Sequence, residues 1–336
     1  MIYATVIVAI ALFFDYTNGF HDSANVVATI IVTGALTPVQ ALALASVAEF
    51  VGPFLFGTAV AKTIGKNIID ISSFSASSYE LSICLLIAAV SGAIIWNLIT
   101  WWFGLPSSSS HALVGGLIGA VLIAHGADMI MVKGVMFVIA SLVLSPFLGL
   151  IFGVIVLKAT LYLSRNSSPN IKKTFGRLQI LSSLALALSH GTNDAQKSMG
   201  VIMMALILLG IAPGFDIPVW VISSCALAIA VGTACGGWRI IKTMGPKIYR
   251  VRVAHAFCAQ TASALVILSA ALLGGPVSTT HVVASSIMGV GAGDRIQGVR
   301  WGVAKTIIVA WFITIPAAGV VSAGTFLLIK VFHPVF

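Results

Sequence analysis

The 336 residues are 59% hydrophobic and only 8% charged, with a mean hydropathy of +1.09. Soluble domains carry roughly 25% charged residues, so a soluble enzyme or binding module is excluded and an integral membrane protein is expected. The net charge of +9 does not point to nucleic acid, because the basic residues lie between apolar runs and form no single soluble patch.

The first apolar run begins at Met1 with no basic leader and no small-residue cleavage site, and reads as a retained helix. Its polar residues Asp15, Asn18, Asp22 and Asn25 fall at i, i+3, i+7 and i+10, on one helical face. An ionisable residue at bilayer depth is costly and faces a cavity or a partner. Gly19 offers a place for this helix to break. His21 adjoins Asp22 but points about a quarter-turn away, and is left out of the site. After Thr37-Pro38 a second run reaches about Lys62 and holds one acid, Glu49, either a proton relay or a buried hydrogen-bonding group. A serine-rich stretch from Asp70 to Glu80 leads to a third run ending Trp101-Trp102-Phe103-Gly104. Then Pro106-Ser107-Ser108-Ser109-Ser110-His111 opens a glycine-rich run to Ala124. A run from Met129 to Tyr162, with Pro146 inside it, closes the first half.

Residues 163–177 form a short basic linker, and beyond it the pattern starts again. Gly191-Thr192-Asn193-Asp194-Ala195-Gln196-Lys197 answers the Asp22 motif, and Lys242-Thr243-Met244-Gly245 answers Lys62-Thr63-Ile64-Gly65. Pro276-Val277-Ser278-Thr279-Thr280-His281 answers Pro106 to His111, and Pro316 answers Pro146. Four anchors in one order define repeats over 1–162 and 178–336. Charge bias sets orientation. With the linker in the cytoplasm and each half crossing a net odd number of times, only Lys62, Lys66, Lys133 and Lys330 fall outside, while Lys197 stays in the membrane. Both termini then face outward and the repeats are inverted. The expected fold is an all-α polytopic membrane protein with broken helices and re-entrant-type helical hairpins, a known transporter plan.

Each proline-then-hydroxyl stretch has the residue order of a helix N-terminus, where exposed N–H groups and the helix dipole favour an anion. Ser107, Ser108, Ser109 and Ser110 in one half, with Ser278, Thr279 and Thr280 in the other, suit a small tetrahedral oxyanion. The plain alternative is that they cap helices and bond backward to carbonyls. His111 and His281 are read as structural, holding the hairpin tips. Asp22 and Asp194, joined by amide oxygens of Asn18, Asn25 and Asn193, offer hard ligands for a cation, with Na+ at the two aspartates one assignment. They also repel an anion until a cation or proton neutralises them, which is the logic of symport. His190, Asp194 and Lys197 fall at i, i+4 and i+7. Lys197 is either a counter-charge to the substrate or a salt-bridge partner of an aspartate. A membrane hydrolase built on Ser110-His111 is disfavoured, because helix neighbours do not face each other. An ion channel stays open as an alternative at this stage. The four cysteines, Cys84, Cys225, Cys235 and Cys258, show no metal-type spacing and read as small buried hydrophobes; no cofactor is expected.

The paired motifs Gly-Phe-His-Asp-Ser-Ala-Asn and Gly-Thr-Asn-Asp-Ala-Gln-Lys, with Pro-Ser-Ser-Ser-Ser-His and Pro-Val-Ser-Thr-Thr-His, resemble the inorganic phosphate transporter (PiT) family over essentially the whole chain. The resemblance implies a phosphate symporter in the lipid bilayer, driven by H+ or Na+, with sulfate as an alternative anion. It implies phosphate at the Ser/Thr tips and cations at the Asn-Asp motifs, Asp22, Asn25, Asn193 and Asp194, with Glu49 similar to a further acid of the family. Taken with the residues themselves, Asn25, Asn193 and Lys197 are assigned beside the phosphate, and Asp22, Asp194, Asn18 and Glu49 to the coupling cation. Gln196-Lys197 stands where the familiar motif ends Ala-Asn, and Gln260 where related second halves often carry Glu, which removes cation-ligating capacity. The short linker implies a prokaryotic plasma (inner) membrane protein. Monomer and homodimer are both open.

Overall fold

The computed structural model describes residues 2–70, 79–167, 171–236, 249 and 251–332. The second-half anchor at Lys242 to Gly245, the basic residues Arg239, Lys247 and Arg250, and linker residues 168–170 lie outside them. The described chain is helical. Its first half holds α1 (Ile2–Val32), α2 (Pro38–Leu55), α3 (Ala59–Asn67), α4 (Tyr79–Trp102), α5 (Ser109–His125) and α6 (Val132–Ser164). The second holds α7 (Ile171–Leu208), α8 (Val219–Cys235), α9 (Val253–Leu272), α10 (Thr279–Arg295) and α11 (Trp301–Phe332). Six of these, α1, α2, α4, α6, α9 and α11, are long and apolar enough to cross a membrane. The 38-residue α7 is longer than any of them, but its middle carries the polar motif.

Burial is inverted relative to a soluble protein. Leu144, Phe147, Ile151 and Ile155 of α6 are exposed, as are Phe312, Val320 and Leu328 of α11. Asp15, Asp22, Glu49, Asn193, Asp194 and Lys197 are all buried. A bilayer is the solvent in which that distribution is stable, because it wets apolar side chains and shuns ionised ones. The chain is a multi-pass membrane protein.

The packing pairs up between the halves. α1 lies on α8 as α7 lies on α2; α5 lies on α11 as α10 lies on α6; α4 touches α11 as α9 touches α6. Exchanging the halves maps this set of contacts onto itself. Small residues set the distances. A Cβ on Gly19 would stand 2.1 Å from the carbonyl oxygen of Ile229 on α8, and one on Gly191 would stand 2.4 Å from that of Glu49 on α2.

This corrects the expectation of a helix break at Gly19. α1 and α7 run through their Asp motifs as continuous helices, and the glycines serve close helix crossing instead. The interruptions fall at the hydroxyl stretches. α4 and α9 end two residues before Gly104 and Gly274, whose φ values of 66° and 74° lie where a side chain is strained. The chain then turns through Pro106 or Pro276 into α5 or α10. The two hairpins meet at their tips, where the His111 and His281 rings lie 4.4 Å apart and His281 stacks on Trp311.

Candidate functional site

The middles of α1 and α7 and the tips of both hairpins converge on one buried polar centre. Each carboxyl there has an identifiable neighbour. His21 Nδ1 lies 2.6 Å from Asp22 Oδ1, His190 Nδ1 lies 2.8 Å from Glu49 Oε1, and Lys197 Nζ lies 2.7 Å from Asp194 Oδ1. His190 Nε2 is also 3.5 Å from Asp194 Oδ2 and 4.0 Å from Asp22 Oδ2. One imidazole therefore stands between three acids. Buried polar groups persist only when paired in this way, so the pairings hold these side chains in place.

The hydroxyl tips divide into two kinds. Ser108 caps α5 by accepting from His111 N, and Ser278 caps α10 by accepting from His281 N. Both satisfy helix-end donors, and the His111 ring lies 2.8 Å from Ser108 Oγ. Ser107 pairs with Thr100 at 2.6 Å, and Ser110 donates across to Val277 O of the other tip at 2.8 Å. Ser109, Thr279 and Thr280 point inward. Ser109 donates to Asp22 Oδ2 at 3.4 Å, and Thr280 donates to Asp22 Oδ1 at 3.3 Å. The Thr279 hydroxyl is within reach of both aspartates, 3.4 Å from Asp22 Oδ2 and 3.3 Å from Asp194 Oδ2.

The amides surround the same point. Asn18 Nδ2 donates to Asp194 Oδ2 at 3.1 Å, Asn25 Nδ2 to Thr280 Oγ1 at 2.9 Å, and Asn193 Nδ2 to Asp194 Oδ1 at 2.7 Å and to Val277 O at 3.2 Å. The amide oxygens of Asn18 and Asn25 are buried with no hydrogen-bond donor among the described residues. Orphaned hard oxygens beside two carboxylates fit an alkali cation or a proton-bearing group. Asp22, His190 and Asp194 also bring ligand atoms within 4.8 Å of one another, a set that admits a metal ion.

Every residue expected from the sequence therefore sits in or beside one centre, but the roles differ in detail. His21, excluded on its helical angle, stands with Nδ1 2.6 Å from Asp22 Oδ1. His190 is a central member; the signal for it was its position four residues before Asp194. Thr233 of α8 had no sequence signal, and it donates to Glu49 Oε2 at 2.5 Å and to Gly19 O at 3.2 Å. Gln196 turns away from the centre. It accepts from Val60 N and Ala61 N and donates to Gly57 O, so it fastens the start of α3. Gln260 bonds Thr29 and Ser182, outside the aspartate cluster.

A polytopic helical bundle with interrupted hairpins, enclosing a charged centre made for small ions, is a membrane transporter. Residues 18–322 match the model of the phosphate transporter family, and the chain belongs to that family. It is 43% identical over 332 residues to a Bacillus subtilis protein named "Probable low-affinity inorganic phosphate transporter", covering 98% of each chain. A Rhizobium meliloti protein of the same name is 43% identical over 94% of this chain and 93% of its own. Among solved structures, "The sodium-dependent phosphate transporter" superposes with a TM-score of 0.86 at 25% identity, covering 98% of this chain and 100% of that one. The family and these relatives are transporters, not enzymes, so the hydrolase alternative is set aside.

Proposed function

We propose that this chain is a secondary active symporter that imports inorganic phosphate across a prokaryotic plasma membrane, driven by an H+ or Na+ gradient. The observation that carries the reading is the Thr279 hydroxyl, placed between the two aspartates at the end of a helix. Ser109, Thr279 and Thr280 now donate to carboxylates. A phosphate oxygen is an equivalent acceptor, and the N-termini of α5 and α10 add favourable dipoles. The hydroxyls can turn to phosphate once a cation or proton takes over the neutralisation of Asp22 and Asp194. Anion and cation then help each other bind, as coupling requires. Lys197 already supplies one fixed charge to Asp194, so fewer cations are needed per phosphate.

Two inverted repeats, 1–162 and 178–336, agree with the reciprocal packing of the halves and with the charge bias. On this reading both termini face outward. The sodium dependence named for the structural relative supports a cation-coupled cycle but leaves open which cation this chain uses. Proteoliposomes loaded without phosphate test the proposal. Imposed pH and Na+ gradients, applied separately, should reveal one that drives labelled phosphate above equilibrium, with the matching ionophore abolishing accumulation. Uptake that only equilibrates under either gradient would overturn symport. Sulfate displacing phosphate at the lower concentration would overturn the choice of anion.

A further inference from the structure

Four carboxyls lie in the buried centre or one helical turn from it: Asp15, Asp22, Glu49 and Asp194. Three have a basic partner within 2.8 Å. Asp15 has none among the described residues. Its Oδ1 accepts from Ser198 Oγ at 2.6 Å, and the buried Cys225 thiol of α8 is the other polar neighbour of the carboxyl among the described residues. The side chain is fully buried. A lone ionised carboxylate in such surroundings is too costly to persist and takes up a proton instead.

We propose that Asp15 is the acid that carries a coupling proton, and that Lys197 reports its state to the phosphate site. The inference rests on the symport reading above. Ser198, the partner of Asp15, lies four residues from Asp194 on α7, about 6 Å along the helix axis. Lys197 is the adjacent residue on α7 and is buried like Asp15. A lysine ammonium on a flexible four-carbon stem can serve either acid. With Asp15 protonated, Lys197 stays on Asp194, the arrangement seen here at 2.7 Å, and an anion can enter. When Asp15 loses its proton to water on the open side, its carboxylate draws the ammonium across. Asp194 is then left bare beside Thr279 and repels phosphate. Lys197 keeps its own proton throughout, so one proton is released as phosphate leaves.

Among the described residues, Lys197 is the one basic side chain that acts on Asp15. From α7 come Ser198, Lys197 and Asp194, and from α8 the buried Cys225 thiol. On α1 itself the next titratable groups are Tyr16, His21 and Asp22, and His21 is occupied by Asp22. α2 brings Glu49, which faces His190. α4 brings only Glu80 and Cys84, which lie in its first turns, and Tyr79 at its start. From α10 come His281, which stacks on Trp311, and Asp294, which accepts from Tyr249.

Asp15→Asn mimics the protonated acid and keeps the contact with Ser198. In proteoliposomes it should lose accumulation driven by a pH gradient while labelled phosphate still exchanges for internal phosphate. Accumulation that follows the pH gradient as in the wild type would overturn the proposal. Ser198→Ala is the second variant, chosen because it removes only a hydroxyl. Loss of that hydrogen bond disfavours the ionised acid, so the pH at which phosphate binding falls should move up by about one unit. An unmoved profile would overturn the proposal even if Asp15→Asn does not fold. Wild-type protein that neither accumulates nor exchanges phosphate would count against the transport reading itself, which separates the two failures.

Discussion

Thr279→Val keeps the shape of the side chain and removes the hydroxyl that stands between Asp22 and Asp194. Its contacts of 3.4 and 3.3 Å are long, so their loss from the phosphate-free protein costs little, about 0.5 kcal/mol. In the phosphate complex the same hydroxyl donates to a charged oxygen, a bond of about 2 kcal/mol. The difference of about 1.5 kcal/mol should appear as affinity, roughly a 10-fold rise in Kd. Ser278→Ala is the informative control, one residue away on the same tip. Ser278 caps α10, so its loss should lower stability by about 1 kcal/mol and leave affinity near the wild-type value. Equilibrium binding of labelled phosphate to purified protein, alongside the temperature of half-denaturation by size exclusion, measures both quantities. If Thr279→Val binds normally while Ser278→Ala loses binding, the division between inward-facing and capping hydroxyls is wrong.

Three further outcomes follow from the packing and the charges. A Cβ at Gly191 would stand 2.4 Å from Glu49 O and 2.5 Å from Glu49 Cα, so in Gly191→Ala α2 must retreat by about 1 Å at an overpacking cost of about 1–3 kcal/mol. The 2.8 Å contact of His190 with Glu49 then opens, and uptake should fall; unchanged uptake would mean that this contact is dispensable. Lys197→Asn takes the cation from a buried pair, a loss of about 3–5 kcal/mol when one partner is removed. Phosphate uptake compared in sodium and choline media should become sodium-dependent, or stop until a cation is supplied. In a background free of cysteine, single cysteines at Lys66 and at Arg252 should react with impermeant maleimide from opposite sides of the membrane. Labelling from one side would make the repeats parallel.

Much of this protein was legible in the sequence because a bilayer permits few explanations for a polar residue. Asp22, Asp194 and Lys197 stood out against apolar runs, and the order of the repeated motifs tied them to the two hydroxyl tips. Helical spacing put Asp15, Asn18, Asp22 and Asn25 on one face, and that face does line the centre. Spacing along one helix says nothing about what another helix brings to it. Thr233 reaches Glu49 and Gly19 only because α8 packs on α2 and crosses α1 at Gly19 and Gly232, where backbones touch. The roles of Gly19, Gln196 and the individual serines were likewise decided by neighbours distant in sequence. A glycine can break a helix or admit another, and a serine can cap one or face a ligand. The sequence determined which residues had to be explained; tertiary packing chose each hydrogen-bond partner, because a buried polar group must take whichever donor or acceptor the crossing helices place within about 3 Å.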